Sequence, residues 1–202
     1  MKKYVLIFFL FVTGFGYSQT QEATLYFKDG TSWKGYAKIV SRDFDSNYKI
    51  KFRFNKDDKA EIWGDLMLKG VTFHGFEMDL KYEYHRIKEN QRYPLLLEIV
   101  TEGNVTMYAD VYKERVNNLS QSNFNDGLFP FNGFNTHEST KTVIYFKREN
   151  EEYVTKLKGR FKKSVISYFG NCSGLIEGID NHEFRRATLL EMVEYYNDFC
   201  AD

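Results

Sequence analysis

Residues 141–170 read KTVIYFKRENEEYVTKLKGRFKKSVISYFG, and the period of their apolar positions changes partway along. Val143, Ile144, Tyr145 and Phe146 are consecutive strand formers, the pattern of a strand covered on both faces. Residues 149–152 make a turn, and Tyr153 to Leu157 should pair back. From Gly159 the spacing becomes helical. Phe161, Val165, Ile166 and Phe169 share one face, and Gly170 sits where a helix can end. The switch at Gly159 decides the fold class, because strand patterns precede it and helix patterns follow it.

Upstream the period is two. ATLYFKDGTSWKGYAKIV (23–40) holds two β-leaning runs around Asp29-Gly30, a dipeptide that tolerates the backbone of a hairpin turn. In NYKIKFRFN (47–55), Tyr48, Ile50, Phe52 and Phe54 alternate with Lys49, Lys51 and Arg53, which predicts a half-buried strand with a basic outer face. IWGDLMLKG (62–70) reads as short or irregular strand. VTFHGFEMDLKYEYHRI (71–87) reads as one long strand whose frame slips at Gly75, the sign of a bulge or bend. YPLLLEIVTEGNVTMYADVY (93–112) predicts a hairpin turning at Glu102-Gly103-Asn104. Residues 114–140 are rich in Asn and Gly, so a long loop is expected there.

Downstream, GLIEGI (174–179) suggests a short helix. Thr188-Leu189-Leu190-Glu191 has the form of a capping box opening a last helix, with Leu189, Val193, Tyr196 and Cys200 on one stripe. The resulting expectation is an α+β chain. An antiparallel curved sheet or partial barrel covers 19–157, and a small C-terminal helical segment covers 158–202 and packs on it.

The first residues bear on compartment. Lys2 and Lys3 precede the apolar run YVLIFFLFV, and small residues precede Gln19, the three-part pattern of a secretory signal over 1–18 with cleavage after Ser18. Secretion or periplasmic residence is expected. The run is short for a membrane span, and no later run approaches the roughly 20 residues one needs. Lys and Arg balance Asp and Glu at 28 each, which gives no whole-chain argument for nucleic acid.

In an oxidising compartment the two cysteines, Cys172 and Cys200, favour one disulfide closing the helical segment. A Cys–His nucleophile would need a base such as His182. A zinc site from Cys172, His182 and Cys200 lacks the usual spacings and a fourth ligand. The remaining histidines, His74, His85 and His137, form no H-E-x-x-H or H-x-H pattern. DFDSN (43–47) mimics a calcium loop but puts Tyr48 where glycine is needed and Phe54 where an acid is needed. No nucleophile elbow, phosphate loop or dinucleotide fingerprint occurs. No catalytic, cofactor or metal residue is assigned.

Aromatic residues make up 18% of the chain. Trp33 and Trp63, with surplus tyrosine, can serve a core or a sugar-stacking surface. Together with Lys49, Lys51 and Arg53 they form the candidate binding surface. A second basic cluster is Lys158, Arg160, Lys162 and Lys163.

The hairpin LYFKDGTSWKGYAKI, the strand pair VIYFKRENEEYVTKL and the tail FKKSVISYFGNCSGLIEGI…LLEMVEYYNDFC together resemble a family of secreted Bacteroidota proteins of flavobacterial type. In that family an aromatic-Cys segment, here Phe169 to Cys172, pairs with a closing Tyr-Asn-x-x-Cys, here Tyr196 to Cys200. Its members often carry proline after the first cysteine, where this chain has Ser173. The resemblance implies an envelope location and a β-then-α layout, and it carries no activity. The functional expectation is a non-enzymatic protein that binds an envelope protein or glycan through its β surface or the 114–140 segment. The alternatives are a barrel-type carrier of a small apolar or glycan ligand and a hydrolase with a spatially assembled site.

Overall fold

The computed structural model describes residues 20–40, 48–75, 78–118 and 135–200. The expected signal peptide and the 43–47 turn lie outside them. The fold is α+β, antiparallel sheet followed by a small C-terminal helical segment, as the change of period at Gly159 implies. The chain divides into two compact units between Lys81 and Tyr82. That break falls inside residues 19–157, where the sequence suggested one domain.

The first unit contains β1 (Gln21–Phe27), β2 (Ser32–Val40), β3 (Lys49–Arg53), β4 (Glu61–Trp63) and β5 (Leu68–Phe73), in the spatial order β4-β3-β2-β1-β5. All its pairings are antiparallel. Register puts Leu25 opposite both Trp33 and Val71, Ala37 opposite Phe52, and Ile50 opposite both Ile39 and Trp63. These positions share one face, and Leu25, Ala37 and Ile50 are fully buried. Gly35 is required there: a Cβ would meet the Arg53 carbonyl oxygen at 2.4 Å and the Phe52 ring at 2.7 Å. The β1–β2 turn carries Gly30 at φ +88°, which glycine adopts without a Cβ penalty.

The long strand expected over 71–87 is instead two. β5 ends at Phe73 and β6 (Leu80–His85) begins after a non-strand stretch at Gly75. A Cβ on Gly75 would lie 2.4 Å from the Met78 carbonyl oxygen, so the chain doubles back too tightly there for a continuous strand.

In the second unit the Tyr82–His85 part of β6, β7 (Leu95–Thr101), β8 (Val105–Asn118) and β9 (Asn135–Arg148) follow one another in an antiparallel order. β8 and β9 pair in unbroken register from Val105↔Arg148 to Asn118↔Asn135. The expected loop over 114–140 is therefore too long at both ends. Asparagine-rich composition masked these strand ends because backbone pairing, which side-chain pattern does not report, defines them. Residues 119–134 lie outside the described set.

The consecutive run Val143–Phe146 is covered on both faces, as its composition suggests. Phe146 joins Val105 and Met107 under α1 (Phe161–Phe169), α2 (Ser173–Asp180) and α3 (Leu189–Phe199). Tyr145 packs on the other face with Leu95, Leu97, Tyr108 and Val154. The return of 153–157 is a single bridge, Phe146 to Thr155, with backbone bonds of 2.8 and 2.7 Å. Thr188 does not cap α3. Its hydroxyl accepts from the Arg185 amide at 2.9 Å in a short 3-10 turn instead.

Candidate functional site

The residues proposed as one binding surface separate onto two faces of the first unit. Trp33 and Trp63 come together on the core face, ring centroids 5.5 Å apart and edge-on, with Phe27 at 4.6 Å from Trp33 and 5.4 Å from Trp63. Phe54 lies 5.3 Å from Trp33 and 5.2 Å from Phe52. The two tryptophans are half-buried, so most of the set is packing. Phe54, expected to be buried with Ile50 and Phe52, is 52% exposed, because it follows the end of β3.

Lys49, Lys51 and Arg53 point to the opposite face, as alternation requires. Lys49 and Lys51 are exposed. Arg53 is half-buried and donates through Nη2 to Thr20 Oγ1 at 2.7 Å, while its Nε is buried without a partner. Sequence reading missed that β2 contributes Lys34, Tyr36 and Lys38 to this face. Lys38 stands directly opposite Lys51, and Tyr36 opposite Arg53. A like-charged pair directly across a sheet is destabilising. Among the described residues Lys34, Lys38, Lys49 and Lys51 form no ion pair. The carboxylate on the same face of β1, Glu22, takes a 3.4 Å hydrogen bond from the Tyr36 hydroxyl. Lys56 lies 5.2 Å above the Tyr36 ring, adding a cation beside an aromatic. The signal for this arrangement, the K-x-Y-x-K alternation of β2, was in the sequence. Its alignment with β3 was not.

The same unit contains a hydroxyl–imidazole–carboxylate chain. His74 Nε2 lies 2.8 Å from Thr24 Oγ1, and Nδ1 lies 3.0 Å from Asp79 Oδ2. This is the connectivity of a nucleophile triad. Thr24, however, is only 4% exposed in mid-strand, and both imidazole nitrogens are already engaged. The 510 Å³ cavity beside it is lined by His74, Lys34, Tyr36 and Asn55, without Thr24.

In the second unit, the Cys172 and Cys200 sulfurs lie at bonding distance, with Cα atoms 5.4 Å apart and a sequence separation of 28. Neither cysteine is free, so no thiol faces His182. Beside the pair sits a polar network. The Arg148 guanidinium lies 4.2 Å above the Tyr168 ring, bonds to Glu151 at 3.2 Å and donates to the Tyr168 carbonyl. The Tyr168 hydroxyl donates to Glu151 at 2.7 Å. Burial, then the adjacent Glu151 carboxylate, push the Tyr168 phenol far above its usual range. Burial alone would lower the Arg148 guanidinium. Contacts with Tyr196, Tyr168 and Glu151 outweigh it and hold the charge in place. A 580 Å³ cavity opens between Arg148, Asn104, Asn171 and Tyr196.

The strand orders do not close: in neither unit do the end strands pair among the described residues. The described cavities open to solvent and carry charged groups in their walls, unlike the closed apolar cavity a carrier uses. Among these residues no cluster of His, Cys, Asp and Glu could hold a metal, and no helix is long and apolar enough to cross a membrane. The chain matches no family model, no curated protein and no solved structure.

Proposed function

We propose that the chain is an extracytoplasmic, non-enzymatic binding protein whose β2–β3 face docks on an acidic glycan of the cell envelope. The observation that carries this reading is the row of lysines on that face. Lys38 and Lys51 are held opposite one another without a carboxylate between them, at a cost to the sheet. A polyanion laid across the strands would remove that repulsion, and Tyr36 offers ring surface between the charges. The envelope location rests on the leader pattern of 1–18, on the cysteine pair and on the resemblance to secreted Bacteroidota proteins. Exported protein should begin at Gln19 on N-terminal sequencing.

Retention on an immobilised acidic polysaccharide, polygalacturonate, tests the reading. The mature chain should be retained at low salt and released near physiological ionic strength or above, because exposed charges are screened over about 8–10 Å there. A neutral glucan should not retain it. Lys38→Glu with Lys51→Glu should abolish retention while the circular dichroism spectrum is unchanged. Equal retention of this variant, or none by the parent protein, removes the proposal.

A second reading, a hydrolase, rests on the Thr24–His74–Asp79 chain. It requires the 4% exposed Thr24 hydroxyl to be uncovered by substrate. Turnover of activated esters that disappears in His74→Ala would establish it. Rates equal to buffer alone would leave the chain as a packing device.

A further inference from the structure

The second unit carries a basic concavity that the glycan reading does not use. After the bridge at Thr155 the chain runs through Lys156, Lys158 and Arg160 into α1, where Lys163 follows one turn later. These four cations, with Ser164 and Ser167, line a cavity of 600 Å³. All four are exposed, none pairs with a described carboxylate, and the lining contains no Asp or Glu.

The contrast with Lys162 is local. That residue, between Arg160 and Lys163, bonds to Asp180 of α2. Carboxylates are therefore within reach of this segment, yet the concavity contains none. A fifth cation is tied to the same turn: Arg186 Nη2 donates to the carbonyl of Gly159, a residue in the left-handed conformation at φ +79°, at 2.8 Å. The Ser164 hydroxyl ties to the Lys158 and Arg160 carbonyls and holds this turn against the helix. The first turn of α1 has no acidic residue and no side-chain cap, so no carboxylate competes with the lysines for an incoming anion.

Like charges gathered on a concave wall raise the local potential and attract a compact anion. Lys and Arg give short, charge-assisted hydrogen bonds to phosphate or sulfate oxygens, roughly twice as strong as neutral ones. A carboxylate carries one charge and fills less of such a site. We infer that the concavity between Thr155 and Tyr168 binds a phosphate or sulfate monoester group. That group is carried either by a soluble ester or by a lipid headgroup. The inference lies in the other compact unit and stands whether or not the β2–β3 face binds glycan.

The test uses the full mature chain at about 0.15 M NaCl, where weak surface attraction is screened. Glucose 1-phosphate and glucose 6-sulfate are titrated by calorimetry. Binding is also measured to phosphatidylcholine vesicles with and without phosphatidic acid. Binding to an ester supports the inference and identifies a soluble ligand. Binding confined to the phosphatidic acid vesicles supports it with a lipid headgroup. In either case Lys158→Gln with Lys163→Gln should weaken binding about tenfold or more, the loss expected from removing two charge-assisted contacts. Lys162→Gln and Lys88→Gln, at exposed lysines outside both basic surfaces, should leave it unchanged. Unaltered melting temperatures keep the comparison interpretable. No binding to any probe overturns the inference. Equal weakening by the control variants overturns it as well, since that would mean attraction to overall charge rather than to this concavity.

Discussion

Up to Lys81 the sheet is held by rings, and from Tyr82 it is held by helices. In the first unit Phe27, Trp33, Phe52, Phe54 and Trp63 form a graded aromatic set, from buried Phe52 to Phe54 at the surface. In the second, Val105 and Phe146 of the sheet meet Val165, Phe169, Leu175, Met192 and Val193 of the helices, all fully buried. A partly wet ring cluster tolerates truncation, whereas a dry helix-on-sheet core does not, because a void there keeps its lost contacts. Phe169→Ala should therefore cost about 3–5 kcal/mol in urea unfolding. Trp33→Ala, at a half-buried ring, should cost less, about 1–3 kcal/mol, from lost area and ring pairing. Equal losses would break the distinction between the units.

The cysteine pair sharpens it. Helices of 8 to 11 residues are marginal alone, and the bond between Cys172 and Cys200 closes the loop that contains α2 and α3. Loop-closure arguments give about 3.5 kcal/mol for a loop of this length. Cys172→Ser with Cys200→Ser should lose about that amount in thermal or urea unfolding. Reductant should reproduce the loss in the parent protein and change nothing in the variant. A loss under about 1 kcal/mol would mean that packing of Phe169 and Tyr196 already fixes the segment.

A smaller contrast lies in the two hairpin turns. The turn between β7 and β8 is clamped from far along the chain. The Asn197 amide of α3 receives the Val105 N–H at 2.9 Å and donates to the Val105 carbonyl at 3.0 Å. Gly103 leaves room for it, since a Cβ there would meet the Asn197 side chain at 2.3 Å. Asn197→Ala strands two backbone groups and should cost about 2 kcal/mol. Gly103→Ala should cost a similar amount through the clash. The double variant should cost clearly less than the sum, because the two changes share one contact. Additive losses would show that the clamp does not hold the turn.

These features differ in how far the sequence discloses them. Strand alternation around Ile50 and Phe52 was legible because each residue reports its own face. The two-sided cover of Val143–Phe146 and the helix from Phe161 were legible for the same reason. The break after Gly75 was visible only as a slip in period. The pairing of β8 with β9 out to Asn118 and Asn135 was hidden, since polar strands keep their register through backbone bonds. The basic face was half legible: Lys49, Lys51 and Arg53 stand in one run, but Lys38 joins them only through the pairing of β2 with β3. The Arg148 network and the Thr24–His74–Asp79 chain join residues that local periodicity does not connect.

The β1–β2 turn, by contrast, is held by its own residues, and its effect is the smallest. Asp29 Oδ1 receives the Thr31 amide at 2.9 Å and the Thr31 hydroxyl at 2.7 Å. Those bonds, the hydroxyl first, lower the Asp29 carboxyl below its ordinary 3.8. A carboxyl that is lower in the folded state binds fewer protons there than in the unfolded chain. It therefore contributes stability above pH 3.8, and that contribution is lost as pH falls through the lower folded value. Asp29 is fully exposed, so solvent screens the effect and the shift in melting temperature should be slight. Carbon-detected NMR titration should place the Asp29 midpoint below 3.8 in the folded protein, and Thr31→Val should move it up toward that value. The stability gap between the parent and Asp29→Ala should narrow as pH drops through this range. A midpoint at or above the ordinary value would mean that the Thr31 bonds do not hold this turn, which would then rest on the backbone of Gly30, while the Asn197 clamp on the β7–β8 turn would be unaffected.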